Sequence, residues 1–231
     1  MTLNEIVGEV ESIFGNKWQT RDGRKVPEAD EVQFGNDAVK ITGTVLYADM
    51  VDSTGLVNNF QSWFAAEIYK AYLYGTSRII RKNDGEITAF DGDRVMAVFF
   101  GEYKNTKAAK TALNINAFVK ELNAAIKRAY PTTAYIFRQS VGIDTSELFV
   151  AKTGIRNSND LVWVGRAANY AAKLCEMGDV TFPSYMTEDV YSKANDEAKF
   201  STKQPRQSMW EKRIWTEKGI VVYRSNWTWG F

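Results

Sequence analysis

VKITGTVLYAD, residues 39–49, decides how the rest of this 231-residue chain is read. It is rich in β-branched residues and ends on a carboxylate, Asp49, so it reads as a strand whose last residue stands at the edge of a sheet. Downstream, Val57 to Arg81 carries an aromatic-rich helical period with few breakers. EITAF (86–90) and RVMAVFF (94–100) flank the turn DGD, a hairpin signal, and Tyr103 to Arg128 reads as a second long helix stopping before Pro131. IFRQSVGIDTSELFVA (136–151) reads as another pair of strands, LVWVG (161–165) as a short one and AANYAAKLCEM (167–177) as a helix. The stretch from Met209 to Arg224 turns β-like toward IVVYRS (220–225). A βαββαβ order with long helices predicts an α+β sandwich, helices packed on a mixed or antiparallel sheet.

Upstream, Leu3, Ile6, Val7, Val10 and Ile13 fall at helical spacing until Gly15 and Asn16 end the pattern, predicting a short amphipathic helix that packs on something. Polar residues, Gly and Pro then fill the stretch to Asp37, which reads as an extended arm. The expected division is residues 1–37 as helix and arm, with the domain proper over 38–231. The first fourteen residues hold Glu5, Glu9 and Glu11 and no basic residue, the wrong charge for a signal or transit peptide. No apolar run approaches the roughly 20 residues that span a bilayer, so no membrane insertion is expected.

Composition removes whole classes of chemistry. The chain has no histidine, which excludes Ser-His-Asp and Cys-His nucleophiles, HExxH zinc sites and an imidazole base. A single cysteine, Cys175, excludes disulfides and thiolate clusters and points to a reducing cytoplasm. With 29 basic and 28 acidic side chains the net charge is +1, so no global field draws the chain to nucleic acid.

Two carboxylates remain conspicuous, Asp49 in LYADMVDST and Asp93 in FDGDRVMAVF. Carboxylates at adjacent strand ends can hold hard cations, the device behind in-line phosphoryl chemistry, although Asp also favours turns for its own hydrogen bonds. LYADMVDSTGL (46–56), DGDRVMAVF (91–99) and VGRAANYAAKL (164–174), taken in this order, resemble the three signature segments of the class III nucleotidyl cyclase catalytic domain. The resemblance spans about residues 39 to 224 and implies a ferredoxin-like fold acting as a head-to-tail homodimer with sites at the subunit interface. It implies that Asp49 and Asp93 bind two divalent cations, Mg²⁺ or Mn²⁺, and that Asn169 holds the substrate ribose. The implied reaction is attack of a ribose 3′-hydroxyl on the α-phosphorus, closing a 3′,5′-cyclic ring and expelling pyrophosphate.

The departures from that pattern fall where the base is read. Adenylate cyclases carry a lysine and guanylate cyclases a glutamate where this chain has Ala89; adenylate cyclases carry an aspartate where Val162 stands, followed here by Trp163. Together with VPEADEVQFGND (26–37), LYADMVDST and FDGDRVMAVF are similar to the pyrimidine cyclases of Pycsar antiphage defence, which make cyclic UMP or cyclic CMP for a separate effector protein. Within that group Tyr47, Arg94 and Trp163 are the expected base contacts. Tyr47 lies two residues before Asp49, hence on the same strand face, and serves equally as a packing aromatic. Arg94 only donates, which suits the O4 acceptor of uracil and opposes the N4 amino group of cytosine, favouring UTP; it serves equally as a charge beside Asp93. Lys173, four residues after Asn169, replaces the transition-state arginine of purine cyclases, with Arg166 as a rival cation; Lys218 is the candidate triphosphate lysine. The alternatives are a cytidylate cyclase and a catalytically silent cyclase-like regulator. A polymerase-palm or diguanylate-cyclase likeness ranks last, since DGDRV is not a GGDEF hairpin.

Overall fold

The structure is a computed structural model and describes residues 1–230. In chain order its elements are α1 (Leu3–Gly15), β1 (Gln19–Asp22), β2 (Asp37–Met50), α2 (Ser53–Asn59), α3 (Ser62–Lys82), β3 (Glu86–Asp91), β4 (Arg94–Phe99) and α4 (Lys104–Ala129). There follow β5 (Gln139–Ile155), β6 (Ser158–Val164), α5 (Arg166–Glu176), β7 (Ser184–Thr187), α6 (Glu188–Lys193), α7 (Asp196–Lys199), β8 (Glu211–Trp215) and β9 (Ile220–Ser225).

The quoted stretch is the heart of the sheet. β2 pairs antiparallel with β4, Tyr47 facing Met96 and Ala48 facing Val95, and antiparallel with β5, Asp49 facing Ser140. The strand order β3-β4-β2-β5 is that of the ferredoxin-like βαββαβ core; β7 adds to β5 in parallel and β9 and β8 follow, so the sheet is mixed. Alternation along β2 serves two cores. Leu46, Ala48 and Met50 pack with Tyr72 and Ile79 of α3 and Leu113 and Ile115 of α4, while Val39, Ile41 and Val45 face the opposite way, with Leu148, Val150 and the α5 alanines 167, 168 and 171. α5 lies so close to the sheet that a Cβ on Gly142 would stand 2.0 Å from the Ala171 carbonyl oxygen and 2.3 Å from the Cys175 amide nitrogen.

Several elements differ from the sequence reading. The helix expected over 57–81 is two, α2 and α3, interrupted at Phe60 and Gln61; Asp52 caps α2 from a left-handed conformation, φ 62°, its carboxylate accepting from the Gly55 amide at 3.1 Å. The pair of strands expected over 136–151 is one 17-residue strand, β5, whose mid-strand Asp144 is fully buried and paired rather than exposed in a turn. Part of the arm joins the sheet, β1 pairing in parallel with the start of β2, and Val26 and Val32 are buried. α1 forms as expected under a Thr2 capping box, yet none of its residues is buried, so the packing expected of it is absent among the described residues. The chain after β9 lies along α4, where the buried Asn114 and Asn116 donate to the carbonyls of Trp229 and Trp227, each at 2.9 Å. No described helix is long and apolar enough to cross a membrane.

Candidate active site

Asp49 closes β2 on the face shared with Tyr47 and Val45, half-buried between Ser140 of β5 and the β3–β4 hairpin. Its Oδ1 accepts from the Met50 amide at 3.0 Å, and the Tyr72 hydroxyl donates to its carbonyl at 3.3 Å. Burial foremost, and then the negative charge of Asp93, push the Asp49 carboxyl up to about 6, with Arg94 opposing. The hairpin that carries Asp93 turns through Gly92 at φ 62°, a left-handed conformation that costs glycine nothing. Asp91 and Arg94 face each other at its base, Arg94 Nη2 donating to Asp91 Oδ2 at 3.0 Å. The same guanidinium sits over the Tyr47 ring, 5.2 Å from its centroid, and the Tyr47 hydroxyl donates to Met96 Sδ at 3.1 Å. Sequence reasoning missed Asp91, although its spacing of three from Arg94 was the available signal. Behind Asp49 lies Cys175, fully enclosed, its thiol pushed up to about 12 chiefly by burial and so inert at neutral pH.

The donor chemistry fits hard divalent cations. Among the described residues no three Asp, Glu, His or Cys side chains gather into a closed cage, and Mg²⁺ seldom uses one: it takes one or two carboxylates and completes its octahedron with water and phosphate oxygens. Asp49 and Asp93 are two such carboxylates; burial first and the Asp93 charge second hold Asp49 up at about 6, a cost that a bound cation would relieve.

The other expected site residues separate into groups. Asn169 and Lys173 lie one turn apart on the exposed face of α5, and neither side chain engages a partner among the described residues. Arg166, at the start of the same helix, is committed: it donates to the buried Asp144 at 3.0 Å and the Thr145 carbonyl at 2.9 Å, pairs with Asp189 and lies 5.7 Å from the Tyr170 ring. Tyr47, Ala89 and Trp163 border one apolar cluster, while Val162, the neighbour of Trp163, is 40% exposed. Lys218 is exposed in the β8–β9 turn, with β5, β7 and β9 between its strand and β2. One chain therefore gathers Asp49, Asp93, Arg94 and Tyr47, and leaves Lys218 apart from them.

No protein-family model matches the sequence. Curated relatives do. A uridylate cyclase of Xanthomonas perforans is 48% identical over 229 residues, covering 98% of this chain and 97% of that one. One from Burkholderia cepacia is 44% identical, covering 98% and 96%. Among solved structures, a bacterial light-regulated adenylyl cyclase superposes with a TM-score of 0.70 at 19% identity, covering 84% of this chain and 54% of that one. The adenylyl cyclase CyaB from P. aeruginosa superposes with a TM-score of 0.69 at 20% identity, covering 81% and 95%. The likeness in structure establishes the class III cyclase fold, and from the near full-length identity to its curated relatives the chain belongs to the uridylate cyclase family.

Proposed function

We propose that this protein cyclises UTP to 3′,5′-cyclic UMP and pyrophosphate, with cytidine triphosphate a poorer substrate. The observation that carries the reading is the half-buried Asp49, raised by burial and then by the charge of Asp93 where β2 ends beside the hairpin, a pair of oxygen donors with an unmet demand for positive charge. Asp49 and Asp93 would hold two Mg²⁺ or Mn²⁺ ions. When bound, such ions lower the pKa of an attacking ribose hydroxyl and neutralise triphosphate charge, which is why a chain without histidine can run this reaction. Arg94, pinned by Asp91 and Tyr47, retains N–H donors for the substrate on the same side as the carboxylates. Asn169 holds the ribose and Lys173 meets the charge that grows on the phosphoryl oxygens, roles supported by their exposure and freedom from partners. Arg166 supports this from behind, by fixing the start of α5 against Asp144. Lys218, which stands apart from Asp49 and Asp93 within one chain, would meet the triphosphate end from the other subunit.

The enzyme acts as a homodimer in which Asp49 and Asp93 of one subunit work with Asn169 and Lys173 of the other. Its product is a signal read by a separate effector, in keeping with antiphage defence. The decisive experiment incubates pure protein with UTP, CTP, ATP and GTP separately, with Mn²⁺ or Mg²⁺, and identifies products by mass. Cyclic UMP in excess over cyclic CMP is expected, and both in excess over any product of ATP or GTP. Cyclic CMP in excess makes it a cytidylate cyclase, and no cyclic product from any triphosphate makes it a silent nucleotide-binding regulator.

A further inference from the structure

The apolar residues of α1 find nothing to pack on within the chain. Leu3, Ile6, Val7, Val10, Ile13 and Phe14 are between 43% and 84% exposed. At about 100° per residue all six lie within about 60° of Val10, with Glu9 and Glu11 about 100° to either side. The helix therefore shows one apolar stripe between two acidic margins. Its C-terminal end is nevertheless held in place. The Asn36 side chain donates to the Ile13 carbonyl at 2.9 Å and to the Asn16 carbonyl at 2.6 Å, and Trp18 meets Phe149 edge to face at 4.9 Å. A 13-residue helix is marginal in water by itself, so an apolar stripe anchored in the open calls for a partner.

A surface of complementary character lies on α3. A groove of about 510 Å³ is lined by Gly75 and Ile79 of α3 and Phe118 of α4, with Arg78, Arg81 and Lys82 around them. Over its length α3 carries Lys70, Arg78, Arg81 and Lys82 against Glu67 alone, whereas α1 carries Glu5, Glu9 and Glu11 and no base. Arg81 also lines a cavity beside the arm residues Lys25 and Glu28, so the groove and the arm that carries α1 lie on one side of the molecule. The exposure of α1 shows that it does not fill the groove of its own chain. We infer that α1 docks in the α3–α4 groove of a second copy of this chain, its apolar stripe on Phe118 and Ile79 and its acidic margins against the basic rim. Two copies meeting on that side exchange helices reciprocally, which closes the contact as a pair. Pairing of α1 with α1 is disfavoured, because the stripe is broader than a two-helix seam and the acidic margins would face each other. An anionic bilayer is disfavoured too, since a helix lying on one carries Lys and Arg on its polar face.

The inference stands apart from the uridylate cyclase reading, and its test does not use catalysis. The lone native cysteine is buried, so introduced thiols report cleanly on the full-length protein. Ile6→Cys or Ile13→Cys, one toward each end of α1, is co-expressed with a differently tagged Tyr74→Cys chain; Tyr74 stands one turn before Arg78 on α3 and is 71% exposed. A short bismaleimide is expected to link at least one of the α1 variants to the Tyr74 variant about fivefold above a control in which Glu217→Cys, in the β8–β9 turn, replaces Tyr74→Cys. Adding Arg78→Glu to the Tyr74 chain should lower that yield about threefold or more, since it sets like charge against the acidic margins. A yield no higher than the control, or one indifferent to Arg78→Glu, overturns the docking. So does preferential linking of α1 to α1, and so does an internally linked single chain as the main product when both cysteines are placed on one chain.

Discussion

Asp49 is held where a carboxylate is uncomfortable. Its ordinary value is 3.8 and the fold raises it to about 6, so between those pH values the folded chain keeps a proton that the unfolded chain releases. Stability therefore declines as pH rises through this window, and the whole penalty is present above it. Asp49→Asn is expected to stabilise the fold at pH 7.5 in the presence of chelator by about 1 kcal/mol once solvent screening of the half-buried group is allowed for, read as a higher melting temperature, and the advantage should vanish near pH 4. Cyclisation should be lost in the same variant; a less stable Asp49→Asn at pH 7.5 would contradict the penalty that burial and the Asp93 charge place on Asp49. Asp49 and Asp93 were legible in the sequence because a carboxylate at a strand end, or in a tight hairpin turn beside Gly92, has a recognisable local context. The fate of Arg166 was not, because its partners Asp144 and Asp189 lie more than twenty residues away on either side. The buried Trp163 Nε1, which finds no acceptor among the described residues, is likewise invisible to sequence, since only packing reveals what a side chain lacks.

α5 presents the two unpartnered side chains of the candidate site, and what it rests on decides where they point. Gly142 permits the close approach of that helix to β5, so Gly142→Ala is expected to cost about 3 kcal/mol by pushing backbone against backbone, read by chemical denaturation, and to impair catalysis through displaced Asn169 and Lys173. The two cations of α5 should separate cleanly. Arg166→Ala strands the buried Asp144 and is expected to destabilise by about 3 kcal/mol, whereas Lys173→Ala should leave the melting temperature unchanged and lower kcat about a hundredfold. If Lys173→Ala retains full turnover, the catalytic cation is another residue. The elements that sequence rendered well, β2, the β3–β4 hairpin and α4, each carry their own periodicity and turn. β5 looked like two strands because Asp144 and Thr145 interrupt its apolar pattern; both are buried and satisfied by Thr187, Arg166 and the Gly43 carbonyl. β1 was missed because all four of its residues are exposed, so no apolar alternation marks it; backbone pairing with β2 and the Arg21–Asp37 ion pair hold it.

At the scale of the whole molecule, the proposed head-to-tail dimer would make the acidic half of the site and the free side chains of α5 serve in two sites, each pair of carboxylates meeting its neighbour's Asn169 and Lys173. Mixing Asp93→Ala with Asn169→Ala should restore up to about half of wild-type turnover in verified heterodimers, each of which would hold one intact and one doubly damaged site. Heterodimers as inactive as either parent would rule out a shared site. The absence of histidine gives the buried carboxylate a further consequence. This chain lacks the side chain that ordinarily titrates between pH 5 and 8, and its lone thiol is pushed up to about 12. At pH 6, about half of the molecules carry a proton on Asp49 that an incoming cation must displace, so loading the site should release about half a proton. Calorimetric heats of Mn²⁺ binding would then differ between buffers of unequal ionisation enthalpy at pH 6 and converge at pH 8, letting one carboxylate report its own occupancy without a label.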